Sequence, residues 1–190
     1  DHNSFVRLVQ ETACYQFEYN QVYRKFCEFT NRSPMNGENV FLPVRLFKSH
    51  NVLCKTGAAP DITFTSSSST GTGESKHLIN DLSWYNRSFL EGFYRQFGDP
   101  KQYTFLGLLP SYLERSGSSL IYMVEGLMKS SASPDNGFYL HDFEALSIKL
   151  SQLESSQKPT IVFGVTYALL DFAASFSQPL QHTKIIETGG

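Results

Sequence analysis

Pro159-Thr160-Ile161-Val162-Phe163-Gly164-Val165-Thr166-Tyr167-Ala168-Leu169-Leu170-Asp171-Phe172-Ala173 is the stretch on which the fold turns. Its first half is a proline-led run of β-branched and aromatic residues ending in glycine, the pattern of a buried strand. Its second half, continued to Phe176, carries apolar side chains at helical spacing. A second strand-like run follows, Thr183-Lys184-Ile185-Ile186-Glu187-Thr188, closing on Gly189-Gly190. Strand, helix and strand within roughly 30 residues is the sequence form of a crossover between parallel neighbours.

The same alternation extends upstream. Residues 103–109 form a compact apolar run closed by Pro110, and residues 120–128 have helical spacing. The turn Ser133-Pro134-Asp135-Asn136-Gly137 introduces Phe138-Tyr139-Leu140 as a short strand, and residues 143–153 read as the next helix. This order predicts an α/β fold, a layered α/β/α arrangement around a largely parallel sheet covered on both faces. Further upstream, Leu78, Leu82, Tyr85, Phe89 and Phe93 predict a helix over 78–97, stopped by Gly98-Asp99-Pro100. Val40-Phe41-Leu42-Pro43-Val44 reads as a short extended run bordering a sheet. Phe5, Leu8, Val9, Tyr15, Tyr19, Tyr23 and Phe26 predict an amphipathic helix, or two short ones, ending before Asn31-Arg32-Ser33-Pro34. That stripe is read as core packing. The length of 190 residues suits one domain, with a helical segment at 1–33 and an α/β portion at 34–190.

Composition narrows the function. Hydrophobic residues make up 41% and charged residues 18%, with 16 Phe and 10 Tyr, so the chain has ample material for a core. The formal net charge of -2, without a Lys/Arg block, argues against a nucleic-acid partner. Cys14, Cys27 and Cys54 have neither CxxC spacing nor a companion histidine pair, so no metal site and no disulfide framework is read. Asn31-Arg32-Ser33 and Asn86-Arg87-Ser88 are taken as chance sequon matches. No apolar run approaches the ~18 residues of a membrane span, and no signal-like segment follows Asp1, so a cytoplasmic protein is expected. Oligomeric state is not legible.

One segment stands apart. Phe64-Thr65-Ser66-Ser67-Ser68-Ser69-Thr70-Gly71-Thr72-Gly73-Glu74-Ser75-Lys76-His77 is rich in hydroxyls and glycine directly after the strand-like Ile62-Thr63-Phe64. Hydroxyls and exposed glycine N–H groups can surround a phosphate chain, with a lysine as countercharge. Ordinary linkers have a similar composition. A position after a strand, where open parallel sheets collect their ligands, favours the functional reading. It is not a Walker A loop, because Glu74-Ser75-Lys76 follows Gly73 where lysine should stand immediately. Nor is it a dinucleotide fingerprint, since Lys76 occupies the place of the third glycine.

Ser66-Ser67-Ser68-Ser69-Thr70-Gly71 does resemble the T-S-G-T-T-G loop of the AMP-forming adenylating enzymes, the acyl-CoA synthetase and luciferase superfamily. Ser68 stands where that family has glycine, and Lys76 lies further downstream than the usual lysine. Residues 159–173 look like the family's strand-turn-helix segment, with Thr166 where proline is common. Ile185-Ile186-Glu187-Thr188-Gly189-Gly190 is similar to the strand and glycine turn that follow it. Within the superfamily the likeness is closest to acyl-protein synthetases of the LuxE type. The resemblance implies the N-terminal subdomain of an adenylating enzyme, in which a carboxylate, plausibly of a fatty acid, attacks the α-phosphate of ATP and expels pyrophosphate. The acyl group would then pass to a thiol acceptor. Implied with it are ATP and Mg2+; phosphate contacts from Ser66, Ser67, Ser68, Ser69, Thr70, Gly71, Thr72, Gly73 and Lys76; and an acyl and adenine pocket bounded by Gly164, Thr166, Tyr167, Gly189 and Gly190. No catalytic residue is assigned. The family's adenine-site glutamate, ribose-binding aspartate and late lysine would lie beyond Gly190, so the stretch by itself is expected to be incompetent for full adenylation.

Two other readings stay open. One is a catalytically degenerate relative that binds acyl groups or nucleotide. The other is an acyltransferase using Cys54 or His77. His77, His141 and His182 have no visible partner in sequence and are taken first as surface or capped residues.

Overall fold

Asn20 resolves the ambiguity at the N-terminus. Its side-chain oxygen accepts from the N–H groups of Val22 and Tyr23, which closes α1 (His2–Tyr19) and caps α2 (Gln21–Phe29). The computed structural model describes residues 2–54, 59–66, 74–109 and 117–189. They fall into two compact units, residues 1–82 and residues 83–190.

In the first unit a small core gathers Tyr23, Cys27 and Val40, with Ala13, Phe17, Phe26 and Leu42 against them. The Tyr23 hydroxyl donates to the Val40 carbonyl at 2.7 Å, and burial pushes its pKa up to about 12. Two expectations are corrected here. The aromatic stripe of α1 is not core: no residue of α1 is buried, and Phe5, Leu8, Tyr15 and Tyr19 are exposed. Residues 40–44 form no strand: residues 40–43 pair with no strand among the described residues, and a 3-10 turn over Val44–Lys48 follows Pro43. The unit closes with an antiparallel hairpin, β1 (Ile62–Thr65) and β2 (Lys76–Ile79), in which Thr65 pairs with Lys76 and Ile62 with Ile79. Leu78, read from its spacing as helical, therefore lies in a strand. The helix α3 (Leu82–Phe97) begins only after it.

The second unit holds the predicted sheet. After α3 come β3 (Thr104–Leu108), α4 (Ser119–Ser131), β4 (Gly137–Phe138), α5 (Phe143–Ser155), β5 (Thr160–Gly164), α6 (Thr166–Ser175) and β6 (Thr183–Glu187). The strand order is β4-β3-β5-β6, with every pairing parallel. All five residues of β3 and all five of β5 are buried. Side chains alternate between faces, so both faces of the central strands are covered, as a parallel sheet requires. On the face of Phe105, α3 packs through Phe93 at 5.4 Å between ring centroids. The same α3 meets α4 through the rings of Tyr85 and Tyr122, 5.8 Å apart. Right-handed crossovers that run in opposite directions from the centre put α5 and α6 on the other face, where Phe143 meets Phe172 at 6.0 Å. Glu154 ties α5 to the start of β6, accepting from the Thr183 hydroxyl at 2.6 Å and the Gln181 N–H at 2.9 Å. Asp135 accepts from Lys158 at 2.8 Å and Lys149 at 3.1 Å, and these ammonium groups hold its carboxyl below the usual range. Strand β4 is shorter than its sequence suggests, since Leu140 turns to a φ of +35°. Among the described residues no helix is long and apolar enough to cross a membrane.

Gly107 is where the sheet demands glycine. A Cβ there would lie 2.4 Å from a ring carbon of Phe138, on the neighbouring strand. Gly107→Ala should lower stability by about 1–3 kcal/mol through overpacking. Gly92, exposed on α3 with nothing within 4 Å of an added Cβ, should behave oppositely and gain about 0.5–1 kcal/mol as alanine. Urea unfolding of both variants checks the pair; equal and small effects would contradict the packing.

Candidate functional site

From β3 the chain crosses to β4 on one side, and the next crossover carries it to β5 on the other. Helices leave in opposite directions at that point, which makes the carboxyl ends of β3 and β5 the topological switch point, the usual ligand position in open α/β sheets. Gly164 ends β5 there. Its carbonyl accepts the Thr188 N–H at 3.0 Å and the Thr188 hydroxyl at 3.2 Å. Thr166, at the first turn of α6, donates its hydroxyl to the Glu187 carboxylate. The Gly189 N–H donates to the same carboxylate at 2.7 Å, and Gly189 takes a φ of +77° to do so. Three expected pocket residues, Gly164, Thr166 and Gly189, are thus drawn into one hydrogen-bonded cluster. Tyr167 follows on α6 and is exposed. Gly190 lies outside the described residues.

Glycine at 164 has a packing reason, because a Cβ there would sit 2.6 Å from the Leu169 side chain. The cluster's charge comes from Glu187, to which the sequence reading gave no role. Val165 supplies no side-chain cap to α6, and Glu187 sets a negative charge beside that amino end, where the helix dipole favours it. The Thr166 hydroxyl, and then the Gly189 N–H, hold its carboxyl below the ordinary range. The available sequence clue was an acidic residue two places ahead of a glycine pair on a strand.

The hydroxyl-rich segment is described only at its base. The Ser66 N–H donates to the Ser75 carbonyl at 3.1 Å, and the two hydroxyl oxygens are 2.5 Å apart. Lys76 is exposed at the start of β2. Ser67, Ser68, Ser69, Thr70, Gly71, Thr72 and Gly73 lie outside the described residues. Contrary to expectation, β1 belongs to the antiparallel hairpin and not to the parallel sheet, so the rule for carboxyl ends of parallel strands does not place a ligand at this loop. His77 is not isolated. Its Nε2 lies 3.3 Å from the Ser75 hydroxyl, and its ring stacks on Phe47 at 4.7 Å. His141 is exposed. His182 is fixed by its backbone N–H on Glu154, at 3.1 Å.

Cys54 is half-buried and points its sulfur at Gln16 Oε1, 3.5 Å away. Burial pushes the thiol up, and the Gln16 contact opposes this only partly. Such a thiol is poorly ionised near neutral pH and is a weak nucleophile.

No protein-family model matches the chain, and no curated protein is similar to it.

The folded value for Glu187 is depressed, so its contribution to stability is present above its unfolded pKa and is lost as pH falls through the folded one. Thr166→Val removes the main cause. The Glu187 carboxyl carbon, followed by NMR, should then titrate at higher pH than in the wild type, nearer the ordinary glutamate range. An unchanged midpoint would show that Thr166 does not hold the carboxylate.

Proposed function

We propose that the chain is part of an ATP-dependent carboxylate-activating enzyme that joins an acid, of fatty type, to AMP, releases pyrophosphate and passes the acyl group to a thiol. One observation carries this reading: Gly164, Thr166 and Gly189, from two segments that separately resemble the flanks of an acyl and adenine pocket, converge at the carboxyl ends of β5 and β6, beside the switch point of the parallel sheet. Both reactants are anions, so the residues would act by position and by hydrogen bonding. Ser66 to one side and Lys76 to the other hold the base of the hydroxyl-rich segment, from which phosphate contacts would come. Among the described residues no group of three or more His, Cys, Asp or Glu side chains gathers. A Mg2+ ion would therefore take its ligands largely from nucleotide phosphates, as is common for that ion.

A specific observation favours the degenerate binding module as second reading. The Glu187 carboxylate occupies the amino end of α6, and an anionic ligand approaching that turn would meet a like charge. The weakly ionised Cys54 counts against it as the nucleophile of an acyltransferase.

Pyrophosphate exchange into ATP, measured on the native gene product with a panel of carboxylic acids, tests the first reading. Acid-dependent exchange is the expected result, and Lys76→Ala should reduce it by about 10- to 100-fold if that ammonium neutralises phosphate. Binding of a fatty acid or of ATP in titration calorimetry, without exchange for any acid, would favour the second reading. Neither binding nor exchange would overturn both.

A further inference from the structure

The N-terminal unit contains a cavity of 720 Å³. Its wall comes from α1, the first turn of α2, residues 39–42 and 52–54, and the hairpin end at Leu78 and Asn80. The volume falls inside the range of small-molecule sites, about 300–1,000 Å³. Aliphatic side chains outnumber rings on the wall, eight to three, and no lining residue is Asp, Glu, Lys, Arg or His.

The polar groups of the wall are largely spent on the protein itself. Asn20 caps α2 with its side-chain oxygen and donates its Nδ2 to Gln16 Oε1 at 2.9 Å. The Tyr23 hydroxyl goes to the Val40 carbonyl at 2.7 Å, and Asn80 Nδ2 to the Cys54 carbonyl at 3.1 Å. The Asn80 Oδ1 is sealed within the packing and offers an entering molecule nothing. Water in such a space finds few partners, so hydrocarbon displaces it favourably. A charged group brought inside would lose its hydration and gain no counterion. Leu8 and Phe41 line the cavity yet are 60% and 72% exposed, which marks its mouth as apolar and open to solvent.

We infer that this cavity takes the alkyl chain of an amphiphile, methyl end first, and leaves the polar head in solvent at the mouth marked by Leu8 and Phe41. The chain replaces water along Val40, Leu53 and Leu78. Recognition is by length and lack of charge, and it is independent of the adenylation reading.

The test uses the whole chain without nucleotide, so its outcome is separable from that of pyrophosphate exchange. The probes are n-hexyl, n-octyl and n-decyl maltoside, each below its micelle-forming concentration, whose sugar head is too bulky to follow the chain inside. Decanedioate, charged at both ends, is the control. Titration calorimetry should give saturable binding of decyl maltoside at one site, with affinity rising about tenfold for each two methylenes buried. Decanedioate should not bind. In methyl NMR the decyl chain should give intermolecular NOEs to Val40, Leu53 and Leu78 but not to Val124 or Leu146 in the core of the second unit. Val52→Trp, which fills part of the cavity, should abolish saturable binding. Should that variant fail to fold, the chain-length series and the NOEs of the wild type still decide. Absence of saturable binding, affinity independent of chain length, decanedioate binding as tight as that of decyl maltoside, or NOEs confined to residues outside the cavity would each overturn the proposal.

Discussion

The five-residue parallel pairing of β3 with β5, Thr104 against Thr160 through Leu108 against Gly164, is the contact on which the C-terminal unit depends. Both strands are buried throughout, so neither face can go uncovered without exposing Phe105 and Phe163 on one side or Leu106 and Val162 on the other. A shift of this register by one residue would turn the two sets of one strand to the wrong faces. Two layers of helix follow from this pairing. So does the switch point, because the strands that pair at the centre are also those from which the chain departs in opposite directions.

Beside the switch point, the carboxyl ends of β5 and β6 are tied by one acid. Glu187 reaches the hydroxyl of Thr166 on α6 and the N–H of Gly189 beyond its own strand, so β6, the glycine turn and the first turn of α6 are tied through a single carboxylate. An uncharged replacement would leave the α6 dipole without its counterion. The same acid that orders the cluster would repel a phosphate placed against it. A nucleotide bound here must then either lie away from Thr166 or displace Glu187, and the cluster offers Thr166 and Gly189 as donors only in the second case.

The parallel sheet was legible because its signals are local and redundant: apolar runs at 104–108 and 160–164, helical spacing between them, and glycine or proline at the ends. The N-terminal unit was less so. Leu78 satisfies a helical period with Leu82 and Tyr85, but its backbone pairs with Thr63 across a hairpin that the intervening sequence does not announce. Val40 and Phe41 suit a strand by composition, yet among the described residues no partner strand reaches them, and the Tyr23 hydroxyl donates to the Val40 carbonyl instead. Pairing partners distant in sequence decide both cases, and propensity cannot see them. At the site, Gly164, Thr166 and Gly189 stood out as residue types in a pattern, whereas Glu187 acquires its role only from neighbours that the fold supplies.

The N-terminal unit has little core, and its side-chain amides do much of the work that packing does elsewhere. Gln16 Oε1 accepts from Asn20 at 2.9 Å and from the Cys54 thiol at 3.5 Å, while Asn20 caps α2 and Asn80 holds the Cys54 carbonyl. These bonds link α1, the α1–α2 elbow, the segment at 52–54 and the hairpin into one wall. A wall fixed by hydrogen bonds does not need apolar side chains to fill the space it encloses, so a cavity can persist where a conventional core would collapse. Among the described residues, Asn80 Oδ1 is the buried side-chain atom left without a hydrogen-bond partner. Asn80 lines the cavity while that oxygen is sealed within the packing behind it, so the polar contacts that order the unit and the space they enclose meet at this one residue.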